Sequence, residues 1–346
     1  MHVTRDGGKT WDKVTPPDLP DFTRISLIEA SPHQNGVAYL AGNRYQQGDR
    51  RPYVYKTADF GKSWQKIVTG IPATDFARTI REDPKRRGLL YVGTETGIYI
   101  SFNDGASWQS LRLNLPVTPV HGIVVEDRDL VIGTHGRGFY ILDDINVLRQ
   151  AGGDITSGVL HVFQPTDPLR GLDRNIAIDY YLGKDADQVK IEFVDDAGKV
   201  LRSFTGSPKD PAPQPGGGGG GGPFGAAAPR VGTVKGMNRF TWDLRQEGAV
   251  VFPGMIMWAA QPQRGPASPP GKYAVRVTAH GETRTRDFAI GLDPRLKAEG
   301  ITEAYLQEQF KLSSEVRDRV TTANTAVIKI RALRDQVNDR LKKVPD

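Results

Sequence analysis

Thr4-Arg-Asp-Gly-Gly-Lys-Thr-Trp11, Thr57-Ala-Asp-Phe-Gly-Lys-Ser-Trp64 and Ser101-Phe-Asn-Asp-Gly-Ala-Ser-Trp108 are three copies of one eight-residue phrase. The tryptophans recur about every fifty residues, a period that marks a stacked structural unit used repeatedly. Inside the phrase, an Asp or Asn followed by Gly reads as a tight turn. Gly tolerates positive φ, and the short polar side chain accepts nearby backbone N–H groups. Each closing Trp brings about 150–250 Å² to bury, enough to pin the turn to its sheet. The expected structural set is Asp6, Gly8 and Trp11; Asp59, Gly61 and Trp64; and Asn103, Gly105 and Trp108.

Working outward, Ser31-Pro-His-Gln-Asn-Gly36-Val-Ala-Tyr39 aligns with Asp83-Pro-Lys-Arg-Arg-Gly88-Leu-Leu-Tyr91. Each is a turn followed by a strand. A further strand, Tyr53-Val-Tyr-Lys or Ile98-Tyr-Ile-Ser, runs into the phrase, and an earlier one precedes it at Ile25-Ser-Leu-Ile or Ala77-Arg-Thr-Ile. The predicted unit is a four-stranded meander with its outermost strand begun by Trp, the form of one propeller blade. A fourth, altered copy runs from Asp129 through Gly133-Thr-His-Gly-Arg-Gly-Phe-Tyr140 to Asp144 and lacks the phrase.

The pattern Ser/Thr-x-Asp-x-Gly-x-Ser/Thr-Trp resembles the Asp box, or BNR repeat, of sialidases, xyloglucanase-type glycosidases and the sortilin N-terminal propeller. The copies at Asp6 and Asp59 match it fully. The third has Asn103 in the Asp position and is expected to build its turn differently. Gly133 to Asp144 further resembles large bacterial sortilin-like proteins labelled glycosyl hydrolases. The resemblance covers roughly residues 1–150 and implies a partial propeller of about three blades. It also implies that N-terminal blades belong to a longer protein, that the protein is secreted or periplasmic, and that Asp boxes lie opposite the ligand. The alternatives are a four-bladed ring and a chain that dimerises through open edges.

By that geometry the ligand face carries Asn43-Arg44-Tyr45, Glu95-Thr96, Val120-His121 and His135-Gly136-Arg137; of these Arg44, Tyr45, Glu95, His121, His135 and Arg137 suit a polar ligand such as a polypeptide or glycan. The function expected is a noncatalytic recognition scaffold. The alternative is a glycoside hydrolase acting on polysaccharide, with its carboxylates largely in the missing blades. Glycoside hydrolysis needs two facing carboxyl groups, and only Asp75, Glu95 and Glu126 fall near the expected loops, none in a recognisable motif.

From residue 151 the period changes. Alternating runs at Asn175–Leu182, Gln188–Val194, Lys199–Phe204, Gly236–Arg245, Pro269–Thr278 and Thr283–Ile290 predict half-buried strands. Their number suits an immunoglobulin-like sandwich over 151–292, resembling the small sandwich domains that trail secreted bacterial enzymes and adhesins. A Gly/Pro-rich insert at 207–234 is expected to be disordered. Its seven glycines precede Pro223-Phe224 rather than the Lys-Ser/Thr of a phosphate loop. Phe252-Pro-Gly-Met-Ile-Met-Trp258 is expected to plug the sandwich base or dock on the propeller, the alternative being a partner patch. Residues 293–346 predict a helix or helical hairpin, with Val316, Val320, Ala323, Val327, Ile330, Leu333, Val337 and Leu341 three or four apart. One such stripe also suits a helix-mediated dimer.

The 346 residues contain no cysteine, which excludes disulfides and thiolate chemistry. The net charge of +6 is spread among 46 basic and 40 acidic residues without a dense basic block, so nucleic-acid binding is not expected. No apolar run reaches the roughly 18 residues of a membrane helix, so no membrane insertion is expected. The six histidines lie apart, so no metal site and no cofactor is expected; Asp143-Asp144 reads as a turn cap, with a Ca²⁺ site the alternative.

Overall fold

The computed structural model describes residues 1–152, 155–173, 175–208, 230–256 and 262–343. Most of the expected insert, together with Met257 and Trp258, lies outside them. The chain is mainly β and divides into two compact units, Met1–Gly152 and Gly153–Asp346.

The first unit is a series of antiparallel sheets. β1 (His2–Val3) pairs with β2 (Asp12–Lys13). A four-stranded meander follows: β3 (Arg24–Ala30), β4 (Ala38–Arg44), β5 (Asp49–Thr57) and β6 (Gln65–Lys66). The same order recurs in β7 (Ala77–Glu82), β8 (Leu90–Thr94), β9 (Ile98–Ser101) and β10 (Gln109–Ser110). A three-stranded sheet, β11 (Val120–Val125), β12 (Leu130–Thr134) and β13 (Phe139–Leu142), precedes the short helix α1 (Asn146–Gln150). Neighbouring sheets bury apolar faces on one another: Val54, Ile67 and Ile71 meet Ile80, Val92 and Trp108, and Tyr91 and Ile100 meet Ile123 and Ile132. Arg81 ties three first strands together, donating to Glu29 Oε2 at 2.6 Å on β3 and to the Ile123 carbonyl at 3.1 Å on β11.

The repeated phrase builds one turn three times. Asp59 Oδ1 accepts from Thr57 Oγ1 and the Ser63 N–H, both at 2.9 Å, while the Gly61 N–H bonds back to Thr57 Oγ1 at 2.9 Å. Asp6 makes the equivalent contacts with Thr4 and Thr10. These donors hold the Asp6 and Asp59 carboxyls down at about 2; the Thr10 N–H leads at Asp6 and the Ser63 hydroxyl at Asp59. Asn103 does not build a different turn. Its Oδ1 accepts from Ser101 Oγ and the Ser107 N–H at 2.9 Å, and only the last contact reverses, Nδ2 donating to Ser107 Oγ. An amide oxygen replaces a carboxylate oxygen here because the turn needs an acceptor, not a charge.

The three tryptophans differ in what they meet. Trp108 is 5% exposed and donates Nε1–H to the Ile67 carbonyl at 2.9 Å; Trp64 donates to the Val14 carbonyl at 2.8 Å. Val14 and Ile67 each stand three residues beyond the Trp of the preceding phrase. A Cβ on Gly61 would lie 2.7 Å from Val14 Cβ, and one on Gly105 would lie 2.5 Å from Ile67 Cδ1. Glycine is required at both, since φ is +82° and +84°. Trp11 is 59% exposed and bonds to its own turn at the Gly8 carbonyl.

In the second unit β14 (Leu160–Val162) joins β16 (Ile176–Leu182) and β19 (Gly236–Trp242) in one antiparallel sheet. The other sheet runs β15 (Leu169–Arg170), β21 (Glu282–Leu292), β20 (Gly271–Ala279), β17 (Val189–Asp195) and β18 (Val200–Gly206), with only β15 parallel to its neighbour. The two sheets share a core in which Phe193 stacks on Trp242 at 4.1 Å. After α2 (Pro294–Ala298), α3 (Glu303–Leu341) is a single helix of 39 residues, so no hairpin forms within 303–341. Val250, Phe252 and Pro253 meet α3: Arg331 covers the Phe252 ring at 4.5 Å and donates to the Pro253 carbonyl, and Asn324 donates to the Val250 carbonyl. The covered face of α3 is mixed, with Leu306, Phe310, Val320 and Val327 partly buried beside Arg317, Asn324 and Arg331, while Ile330, Leu333, Val337 and Leu341 of the expected stripe stay exposed.

Candidate functional site

The first strands of the three complete sheets each carry an irregularity at the same place. Pairing skips one residue between Ile25 and Leu27, between Ala77 and Thr79, and between Val120 and Gly122. The skipped residues are Ser26, Arg78 and His121. A β-bulge re-aims the extra side chain out of the ladder and is enriched beside functional sites.

Each bulged residue meets the residue that follows the equivalent position of the second strand. Asn43 Nδ2 donates to Ser26 Oγ at 2.7 Å. Arg78 grips Glu95 Oε2 through Nε at 2.9 Å and Nη2 at 2.6 Å. His121 stacks on His135 at 5.2 Å, with the rings 14° from parallel. A hydrogen bond, an ion pair and an imidazole stack therefore occupy the same place in successive repeats. The turns carrying Glu95 and His135 are fixed alike, their N–H groups donating to the Phe76 and Pro119 carbonyls at 3.2 and 2.9 Å.

An aromatic and cationic platform adjoins the row. Tyr45, in a short 3-10 turn after β4, stacks on buried Phe76 at 5.1 Å and 12°. Arg78 lies 5.0 Å from the Tyr45 ring centre and 4.8 Å from that of Phe76. Partial burial, then Arg78 and His135, hold His121 below its ordinary value, with Glu95 opposing. The site thus brings together Asn43, Tyr45, Glu95, His121 and His135 from the expected set and adds Ser26, Phe76 and Arg78.

The rest fall elsewhere or stay at the rim. Arg44 turns to Asp49, whose carboxylate also accepts from Arg51 and Tyr53. Arg137 is exposed on the His135 turn. Asp75 is buried and accepts from Thr94 Oγ1, Thr96 Oγ1, Thr96 N–H and Tyr99 OH, so it braces the Glu95 turn from beneath. Glu126 sits beyond Val125, at the other end of β11 from His121. Asp144 accepts the Asn146 N–H at 3.3 Å just before α1. The nine singled-out residues of the repeated phrase also lie at that far end, where the Phe60 and Asp104 N–H groups donate to the Gly36 and Gly88 carbonyls.

The chemistry offered is planar stacking, hydrogen bonding and a neutralised ion pair. Arg78 holds Glu95 through Oε2, and four donors occupy the Asp75 carboxylate. Among the described residues no group of three or more His, Asp or Glu side chains is placed to hold a metal ion, and no helix is long and apolar enough to cross a membrane.

No family model and no curated protein matches the chain. Among solved structures it is similar to the extracellular domain of the one component system BT4673 from B. thetaiotaomicron, at 8% identity and a TM-score of 0.27, covering 78% of this chain and 31% of that one. It is similar also to an ancestral GH74 enzyme, at 14% identity and a TM-score of 0.30, covering 84% and 41%. The chain thus spans less than half the length of either structure, and likenesses this distant carry no functional inference.

Proposed function

We propose that Met1–Gly152 forms consecutive blades of an Asp-box β-propeller in an exported protein, followed by an immunoglobulin-like sandwich, and that it recognises a polypeptide or glycan without cleaving it. The observation that carries the reading is the row of bulged pairs beside the Tyr45–Phe76–Arg78 stack. Tyr45 is half-exposed and His121 and His135 are exposed; their planar rings suit the flat faces of sugars and peptide groups, and the phenol hydroxyl and ring nitrogens suit their polar edges. The state of Glu95 and Asp75 favours recognition over hydrolysis, which asks for a protonated acid facing a second free carboxylate.

The same reading places further sheets of this type on both ends of the series. Trp11 presents the surface that Trp64 and Trp108 bury against the preceding repeat. At the other end Phe139, Ile141 and Val124 are exposed together on the last sheet.

Glycan and peptide arrays probed with the chain, followed by titration of each hit, test the proposal. Tyr45→Ala and His121→Ala are expected to weaken binding about tenfold, a loss of about 1.4 kcal/mol, and Trp11→Ala at the far end to leave it unchanged. Turnover of a polysaccharide by the chain, abolished in Glu95→Gln, would overturn the proposal in favour of a glycosidase.

A further inference from the structure

The second unit holds a cavity of about 520 Å³ between α3 and the loops that flank β19 and β20. Its charge is one-sided. Arg170, Arg245, Arg264 and Arg317 line it, with Gln309 and Ser313 of α3, and no carboxylate is among the described lining residues. Arg317 is matched by Asp318 at 2.8 Å, and Arg245 donates to the Gly265 carbonyl at 2.9 Å. Arg170 and Arg264 make no side-chain hydrogen bond or ion pair among the described residues. An adjoining recess shares Arg170, Arg245 and Arg264 in its lining and also holds Asp173 and Asp243, which accept the Leu169 and Arg245 N–H groups.

Like charges gathered at one place cost stability through self-repulsion. Burial first, and then Arg264 and Arg170 nearby, press Arg245 below its ordinary value, with Asp243 opposing. The fold maintains this arrangement without an internal counter-charge in the cavity. Guanidinium groups are planar forks suited to bidentate contact with oxyanions, and the volume lies within the range of small-ligand pockets.

We infer that this cavity is a binding site for a small ligand carrying two or more phosphate or sulfate charges, held by Arg170, Arg245 and Arg264 with Gln309 and Ser313 as neutral partners. The site is independent of the propeller reading and of the bulged row in the first unit.

Calorimetric titration of the full chain with inorganic pyrophosphate tests it, with glucose 6-phosphate and glucose 6-sulfate as arms that separate the two ester types. One saturable site is expected, weakening as salt rises. Arg264→Ala and Arg170→Ala should each weaken it about tenfold or more, the loss of a charge-assisted bond. Neither arginine has a side-chain polar partner to lose among the described residues, so each variant should melt no lower than the parent without ligand, and higher where repulsion is relieved. Absence of saturable binding up to about 10 mM, far above the 1 mM scale of weak sites, would overturn the inference. So would unchanged affinity in both variants, or a lowered melting temperature without ligand in both, which would give the arginines a structural role.

Discussion

If the junctions between repeats hold the first unit together, the three tryptophans must be unequal although their local sequences match. Trp108→Ala removes a side chain that is 5% exposed and strips the Ile67 carbonyl of its donor. At about 25 cal/mol per Å² over roughly 200 Å² the transfer term is near 5 kcal/mol, an upper figure because the unfolded chain already buries some surface. The expected loss is about 3–5 kcal/mol, the usual cost of a buried Trp→Ala change. Trp11→Ala removes a ring that is 59% exposed and bonded to its own turn. Scaled by the surface removed from water, its loss is about 2 kcal/mol or less. Trp108→Phe keeps most of the ring and leaves the carbonyl unpaired, an expected loss of about 1–3 kcal/mol.

With two compact units the whole chain need not unfold in one step, so the suitable assay is hydrogen exchange resolved by peptide, reading the opening free energy of Leu90–Thr94 and Ile98–Ser101. Trp108→Ala should lower it at these strands and spare the peptides of the second unit. A difference of less than about 1 kcal/mol between Trp108→Ala and Trp11→Ala, within the spread of surface substitutions, would refute the junction argument. The stabilising element would then be the turn itself, which all three copies share.

Three further outcomes follow from the same contacts. Gly105→Ala should cost about 2–3 kcal/mol in urea unfolding, combining a strained positive φ with a clash on Ile67, while Gly8→Ala, whose φ is also positive but whose nearest neighbour is Trp11 at 4.0 Å, should cost about 1 kcal/mol. Arg81→Ala should cost about 3 kcal/mol because it leaves Glu29 unpaired where burial already raises its pKa, and Arg81→Met with Glu29→Leu should recover most of that. His121 is held below the ordinary 6.5, so below that pH the unfolded chain takes the proton more readily and stability falls as the solution is acidified; melting temperatures between pH 7.5 and 5 should drop less in His121→Asn than in the parent.

How far the sequence reveals this molecule follows from which contacts are local. The turns of the phrase were legible because donor and acceptor lie within four residues, and Asn103 shows that acceptor geometry, not residue identity, is what the pattern encodes. Residues 160–162 were missed as a strand because three residues give no period to count. The packing of Phe252 on Arg331 was illegible for the opposite reason: the partners are far apart in sequence, and helical periodicity drew attention to the apolar stripe rather than to Arg317, Asn324 and Arg331, which make the contacts. Arg78 was missed because a bulge shifts the register by one, so simple alternation assigns it to the ladder.

That shift explains how one repeat can be uniform at one end of its sheets and varied at the other. At the end carrying the repeated phrase each turn must satisfy its own backbone N–H groups, and two of them fit against the residue three places past the preceding Trp, so Gly61 and Gly105 admit no side chain. At the bulged end the backbone irregularity recurs, but the side chain it lifts out is not needed by the ladder. Ser26 with Asn43, Arg78 with Glu95 and His121 with His135 can therefore differ in charge and size while the strand pairing beneath them keeps the same register shift. A repeat built this way separates the residues that close its junctions from those proposed to meet a ligand, and on that proposal substitutions at Ser26, Arg78 or His121 should alter binding with little change in the opening free energy of the strands that carry them.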